Sequence, residues 1–92
     1  MTDYVFQPSS NLTFETVEVD SKRLLKMLRT HRDMTGIRFN LSKVTHCDST
    51  GLALLIEAKR LCKRNKIAFA MDHISETLGG LAQFCGVDAV LT

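Results

Sequence analysis

Apolar and polar residues alternate along the chain with two different periods, and the changes of period predict its secondary structure. Period-two alternation over residues 12–19, 37–41 and 67–71 predicts three strands. The chain's only proline, Pro8, lies in a polar turn that ends near Asn11, and we expect a further short strand before it. The alternation slips near Thr16, so the end of the second strand is the least defined boundary.

Apolar residues at helical spacing predict three helices. The first follows Asp20 and Ser21, which are good N-cap residues, and runs to about residue 32. The second, from about residue 50 to Asn65, has the widest apolar stripe and carries its charged residues elsewhere. The third follows Ser75 as a candidate cap, places Leu78, Leu81, Ala82 and Cys85 on one face, and ends at Gly86.

This order of elements predicts an α/β fold. It is a layered sandwich in which about three helices pack on a mixed sheet of four to five strands, and the later strands, joined by helical crossovers, pair in parallel. Small residues alternate with the large ones in the strand at 67–71, which predicts a strand covered on both faces. A chain of 92 residues is too short for two hydrophobic cores, so we expect one domain over residues 1–92.

Composition narrows the classes of function. The net charge of +2 arises from 12 basic and 10 acidic residues that are mixed along the chain, and the basic stretch at 59–64 lacks interleaved aromatics, which argues against nucleic-acid binding. The three cysteines form no CxxC pair, which argues for free thiols in a reducing cytoplasm. We expect no metal, no cofactor and no direct insertion into a membrane.

One segment carries candidate chemistry, because Asp48-Ser49-Thr50-Gly51 lies between a strand and the strongest helix. Its hydroxyls and backbone N–H groups should cluster at the positive end of that helix, which favours an anion or a hydrogen-bonding partner. A helix cap with no further role explains the same residue types and is the simpler interpretation.

The stretch LSKVTHCDSTGLALLIEAKRL, residues 41–61, resembles the core signature of the STAS family, and the predicted order of elements is similar over residues 12–91. The resemblance implies a STAS-like fold and a non-catalytic domain that binds a larger nucleotide-using protein. By this resemblance the partner-binding residues are Asp48, Ser49, Thr50, Gly51 and Leu52, joined by the exposed basic pair Arg60 and Arg64.

Two branches of the family compete. The run Gly51 to Leu55, followed by a basic helix end, looks closer to the STAS subunit of bacterial Mla-type phospholipid ABC transporters, which binds the transporter ATPase. That branch implies a cytoplasmic protein held at the inner membrane through its partner. The other branch comprises the anti-sigma factor antagonists, in which the position of Ser49 is phosphorylated by a partner kinase. Ser49 is the pivotal residue in both branches.

The chain departs from the family pattern at one point. The family's Gly-x-Leu-Asp reads Val17-Glu18-Val19-Asp20 here, so the loop before the first helix should differ, and Asp20 is either a helix cap or a docking residue. A small hydrolase that uses Cys47 or Ser49 is the enzymatic alternative, but the sequence offers no triad pattern behind either nucleophile. His46, Cys47 and Asp48 are adjacent, unlike the separated ligand pairs of zinc sites.

Overall fold

The computed structural model describes residues 3–76 and 78–80, in which five short strands and two long helices alternate. The strands are β1 (Asp3–Phe6), β2 (Asn11–Leu12), β3 (Gly36–Asn40), β4 (His46–Cys47) and β5 (Ala68–Asp72). The helices are α1 (Val17–Thr30) and α2 (Ser49–Arg64). Glu76 and residues 78–80 are also helical, after Ser75 as predicted, and the Leu78 N–H donates to Ser75 Oγ at 3.0 Å. The predicted helix positions Leu81, Ala82, Cys85 and Gly86 lie outside the described residues.

The strands form two parallel sheets. The larger sheet has the order β1-β3-β5, with Ile37 of β3 opposite Tyr4 on one side and Phe69 on the other. The smaller sheet pairs β2 with β4, so that Leu12 lies opposite Cys47. The predicted α/β class is confirmed, as is the parallel pairing of the later strands. The predicted single mixed sheet is not seen: within the described residues the five strands form two sheets, and every strand pair is parallel because a helical crossover separates its two strands.

The core lies between one face of the larger sheet and the two helices. Phe39 stacks at a tilt against Phe6 and against Phe69, with 5.0 Å between ring centroids in each pair. Leu24 of α1 and Leu55 of α2 are buried over these rings within the same hydrophobic cluster. Burial of each such side chain contributes about 1.5–3 kcal/mol, so the helices are held by their apolar stripes.

The start of α1 corrects the sequence prediction. Residues 17–19 alternate with period two but form the first turn of the helix, and β2 ends at Leu12. The N-cap position belongs to Thr16, and the predicted caps Asp20 and Ser21 lie inside the helix. Two apolar residues flanking one glutamate fit a helical turn as well as a strand, which is why the pattern was misleading.

Asp20 has a different role from either one predicted for it. Its side chain is fully buried, accepts hydrogen bonds from Ser9 N and Ser9 Oγ at 3.2 and 2.9 Å, and pairs with Arg23 Nη1 at 3.0 Å. Arg23 also donates to the Gln7 carbonyl and lies over the Phe6 ring. Asp20 therefore ties the β1–β2 connection to α1 and is not accessible for docking in this structure.

The coverage of β5 also differs from the prediction. Phe69 and Met71 are half-buried and pack against the core, while Ala68 on the opposite face is exposed. The described residues therefore cover one face of this strand and leave its second face open at Ala68.

Candidate functional site

The candidate site forms where β2 and β4 end side by side. Leu12 lies opposite Cys47 in a parallel pair, so the residues that follow each strand leave the sheet at the same edge. Residues 13–16 connect β2 to α1, and Asp48 connects β4 to α2. The parallel pairing therefore brings a loop near residue 14 next to the N-terminus of a helix that begins 35 residues later in the chain, at Ser49.

Asp48 holds these two segments together through both carboxylate oxygens. Its backbone is extended, with φ −104° and ψ −177°, and Oδ1 accepts from the Gly51 N–H at 2.9 Å as the N-cap of α2. Oδ2 accepts from the Phe14 N–H at 3.1 Å. The hydrogen bond from Gly51 N–H is the main cause that lowers the pKa of Asp48, against an opposing effect of desolvation. The carboxylate is therefore charged at neutral pH, and its acceptors face the protein's own backbone.

Gly51 is the one position of the motif where a side chain would not fit. A Cβ built on Gly51 would lie 1.9 Å from the Leu12 carbonyl oxygen and 2.7 Å from the Leu12 carbonyl carbon. Because these are backbone atoms, no rotamer change relieves the contact. The glycine thus lets the first turn of α2 approach the end of β2.

Ser49 and Thr50 are exposed at the positive end of α2. Asp48 supplies the cap, and within the described part of the chain no hydrogen bond is formed by the Ser49 hydroxyl. Gly51 and Leu52 are buried, Leu52 with 2% exposure, so they shape the helix end without offering surface. The predicted set therefore divides into two exposed hydroxyl residues and three residues that support them.

Phe14 is the residue of this region that the sequence did not point to as functional. Its side chain is 68% exposed, although period-two alternation assigned it to a buried strand face. Beside it lies an open groove of about 380 Å³, whose lining includes Glu15, His46 and Asp48. Leu12, two residues earlier, is an apolar partner at strand spacing, so the sequence carries no signal that separates Phe14 from a buried strand position.

The basic residues Arg60 and Arg64 lie on the same exposed face of α2 as Ser49. Eleven residues separate Ser49 from Arg60, so at 3.6 residues per turn the two side chains point in nearly the same direction about 16 Å apart. Arg60 pairs with Glu57 at 3.4 Å, and both side chains are largely in water, so this pair adds little stability. The exposed face of α2 therefore carries hydroxyls at one end and cations at the other.

The side chains around the motif show limited capacity for covalent chemistry. Burial, aided by the Asp48 charge, raises the pKa of the Cys47 thiol to about 11, which suppresses the nucleophilic thiolate at neutral pH. The His46 ring contacts the Thr45 hydroxyl through Nδ1 at 3.1 Å and forms no hydrogen bond to Ser49 or Cys47 within the described residues. Among those same residues, no group of three His, Cys, Asp or Glu side chains is arranged to hold a metal ion.

Comparison with known proteins assigns the family. Neither the curated proteins nor the solved structures contain a match to this chain. No helix in residues 3–76 and 78–80 has both the length and the apolar character to cross a membrane. A family model described as "STAS domain" matches residues 2–92, which is nearly the whole chain, and the α/β arrangement fits that fold. The chain therefore belongs to the STAS domain family.

Proposed function

We propose that this chain is a non-catalytic subunit that binds the ATPase of a phospholipid ABC transporter and stabilises or regulates it. The observation that carries the proposal is that the residue that caps α2 and the exposed hydroxyl residues beside it are different residues. Asp48 caps the helix, so the cap does not occupy the Ser49 and Thr50 hydroxyls, which are exposed for a partner. A structural cap alone needs no hydroxyl residues in water beside it.

The choice of partner comes from the resemblance of residues 51–55 and the basic end of α2 to the STAS subunit of Mla-type transporters. Nucleotide hydrolysis belongs to the partner, because the chain contains no Gly-x-x-x-x-Gly-Lys-Ser/Thr motif. The subunit would then lie in the cytoplasm and reach the inner membrane only through the ATPase. Asp48, Gly51 and Leu52 contribute by fixing the shape of the helix end, and Ser49 and Thr50 by direct contact.

The test is a binding titration of the purified chain against the purified ATPase subunit from the same source. Ser49→Asp should keep the circular dichroism spectrum and melting temperature of the parent while weakening affinity by at least about tenfold, or 1.4 kcal/mol. The reason is that a new charge beside Asp48 must be desolvated against the partner. Ser49→Ala is the matched control and should bind more tightly than Ser49→Asp.

Two results would contradict the proposal. If the ATPase does not bind the parent chain, the function is wrong. If Ser49→Asp binds like the parent, Ser49 does not lie in the interface. The same titration tests the basic end of the exposed face of α2. Changing both Arg60 and Arg64 to glutamate should weaken binding more at low than at high salt.

An anti-sigma factor antagonist is the second candidate, and the exposed Ser49 hydroxyl favours it. A phosphate at Ser49 would add about 1.5–2 negative charges at the helix N-terminus, where the helix dipole tolerates them. Incubation with the anti-sigma kinase and ATP, followed by mass spectrometry of the peptide that contains Ser49, distinguishes the two candidates. Phosphate on Ser49 together with kinase binding would reverse the ranking.

A further inference from the structure

An exposed aromatic ring lies next to the docking residues and is held there by a rigid loop. Phe14 is 68% exposed, although phenylalanine is among the residue types most often fully buried. Large aromatic side chains are the residues that most often supply the central contacts of protein interfaces. Such a ring contributes most to binding when the backbone that carries it is fixed.

Four hydrogen bonds fix the loop that carries Phe14. Thr16 N and Val17 N both donate to the Thr13 carbonyl at 2.9 Å, and Thr13 N donates to Thr16 Oγ1 at 3.1 Å. The Phe14 N–H donates to Asp48 Oδ2 at 3.1 Å. A ring on a fixed backbone loses little conformational entropy when it binds, which favours affinity.

Charge around the ring indicates what it would meet. The groove beside Phe14 is lined by the carboxylates Glu15 and Asp48 and by no lysine or arginine. Glu18 follows at the start of α1, exposed and paired with the equally exposed Lys22. Arg60 and Arg64, about 16 and 22 Å from Ser49 along α2, carry the opposite charge. The whole surface is therefore acidic at the aromatic end and basic at the other.

We infer that Phe14 is the apolar anchor of the docking surface, that Asp48 positions it beside Ser49, and that the partner ATPase receives it in an apolar pocket bordered by lysine or arginine. This inference rests on the proposed function and specifies its partner surface. The partner's acidic residues then face Arg60 and Arg64, which fixes the direction in which α2 lies on the ATPase.

The first experiment measures affinity of the purified chain for the purified ATPase subunit. Phe14→Ala should weaken binding about tenfold to thirtyfold, as loss of a central aromatic does, with an unchanged circular dichroism spectrum. Val5→Ala is the matched control, since Val5 is also an exposed apolar residue, 58% accessible, on the sheet strand β1. It should change affinity by less than about twofold.

The second experiment asks whether Asp48 acts through Phe14. Asp48→Asn keeps one oxygen that can cap Gly51 N–H, but its amide nitrogen cannot accept from Phe14 N–H. Affinity should fall severalfold in the parent chain and hardly at all when Phe14 is already alanine, because the positioned ring is gone. Equal losses in both chains would show that Asp48 does not work by positioning this ring.

The outcomes separate the inference from the function on which it rests. If the parent chain does not bind the ATPase, the proposed function fails and the inference fails with it. If the parent binds and Phe14→Ala binds equally well, the inference alone is wrong. Glu15→Lys tests the basic border of the pocket: it should slow association at low salt and have less effect at high salt, and an unchanged rate at both would exclude that border.

Discussion

Replacing Gly51 by alanine sets helix propensity against close packing, and the geometry decides the sign of the effect. In a helix, alanine is more favourable than glycine by about 1 kcal/mol. Here the new Cβ would lie 1.9 Å from the Leu12 carbonyl oxygen, a backbone atom, and 3.0 Å from Leu12 Cγ. Relief requires β2 and α2 to move apart by more than about 1 Å, since carbon and oxygen atoms prefer separations above about 3.3 Å.

The movement has two costs. Overpacking of a core position costs about 1–3 kcal/mol, and the hydrogen bond from Asp48 N to the Leu12 carbonyl, already 3.3 Å long, would be lost at about 1 kcal/mol. Against a propensity gain of about 1 kcal/mol, the net loss is about 1–3 kcal/mol. Urea denaturation followed by circular dichroism should show a midpoint lower by about 1 M, with a similar slope.

Gly79→Ala is the matched control for this prediction, because Gly79 is also helical but a Cβ there meets nothing within 4 Å among the described residues. It should leave stability unchanged or raise it by up to about 1 kcal/mol. If Gly51→Ala is as stable as Gly79→Ala, the first turn of α2 does not approach β2 as closely as this structure has it. Phe14 and Ser49 would then not lie at one shared edge of the structure.

Two further predictions concern carboxylates. Asp20→Asn should lower the free energy of unfolding, measured by urea denaturation, by about 2–3 kcal/mol, which is below the range for fully buried pairs because Arg23 is half in water. Glu18→Gln, which breaks an exposed pair, should lower it by under about 0.5 kcal/mol. Equal losses would contradict the structural role of Asp20. The pKa of Asp48 is lowered from 3.8 by folding, so its contribution to stability is present above about pH 4 and is lost as pH falls through the folded pKa. The stability difference between the parent and Asp48→Asn should therefore shrink below about pH 4, and a constant difference would refute this.

Local periodicity predicted the helices and strands in which one face is apolar along most of the element. The helix at 49–64 and the strand at 36–40 lie within one residue of their predicted bounds, Ser75 caps a helix as predicted, and α2 ends at Arg64 with Asn65 as its C-cap, close to the predicted end. At the start of α1 the same reasoning was wrong because a single turn is too short to distinguish period two from 3.6. Asp20 shows a second limit, since the Ser9 groups that satisfy its buried carboxylate lie 11 residues earlier in the chain.

The part of the candidate site that depends on local sequence was predictable, and the part that depends on distant strand pairing was not. Residue types that cap helices located Asp48 at the start of α2 without any knowledge of the fold. The second half of the site depends on the pairing of β2 with β4, which joins Phe14 to Asp48 across 34 residues. Strands of two residues give no periodic signal, so neither the pairing nor the exposed ring could be inferred from a single sequence.

The residues at which this chain departs from the resemblance, Val17 to Asp20, directly follow the loop that carries the exposed ring. Val17, which the resemblance places at the family's glycine, is the first residue of α1, a helical position. The non-glycine residues of the described chain that have positive φ are Lys66 and His73, so no left-handed backbone is required at Val17. The bonds from Thr16 N and Val17 N to the Thr13 carbonyl turn the chain in place of glycine and leave only residues 13–16 between β2 and α1. Both ends of this loop are held, since its Thr13 end continues β2 and its Thr16 end is the N-cap residue of α1, and Phe14 between them is exposed. The exposed ring thus lies beside Asp48 and Ser49, the residues by which the chain resembles its family, and this proximity is what would let one docking surface combine the ring with the motif.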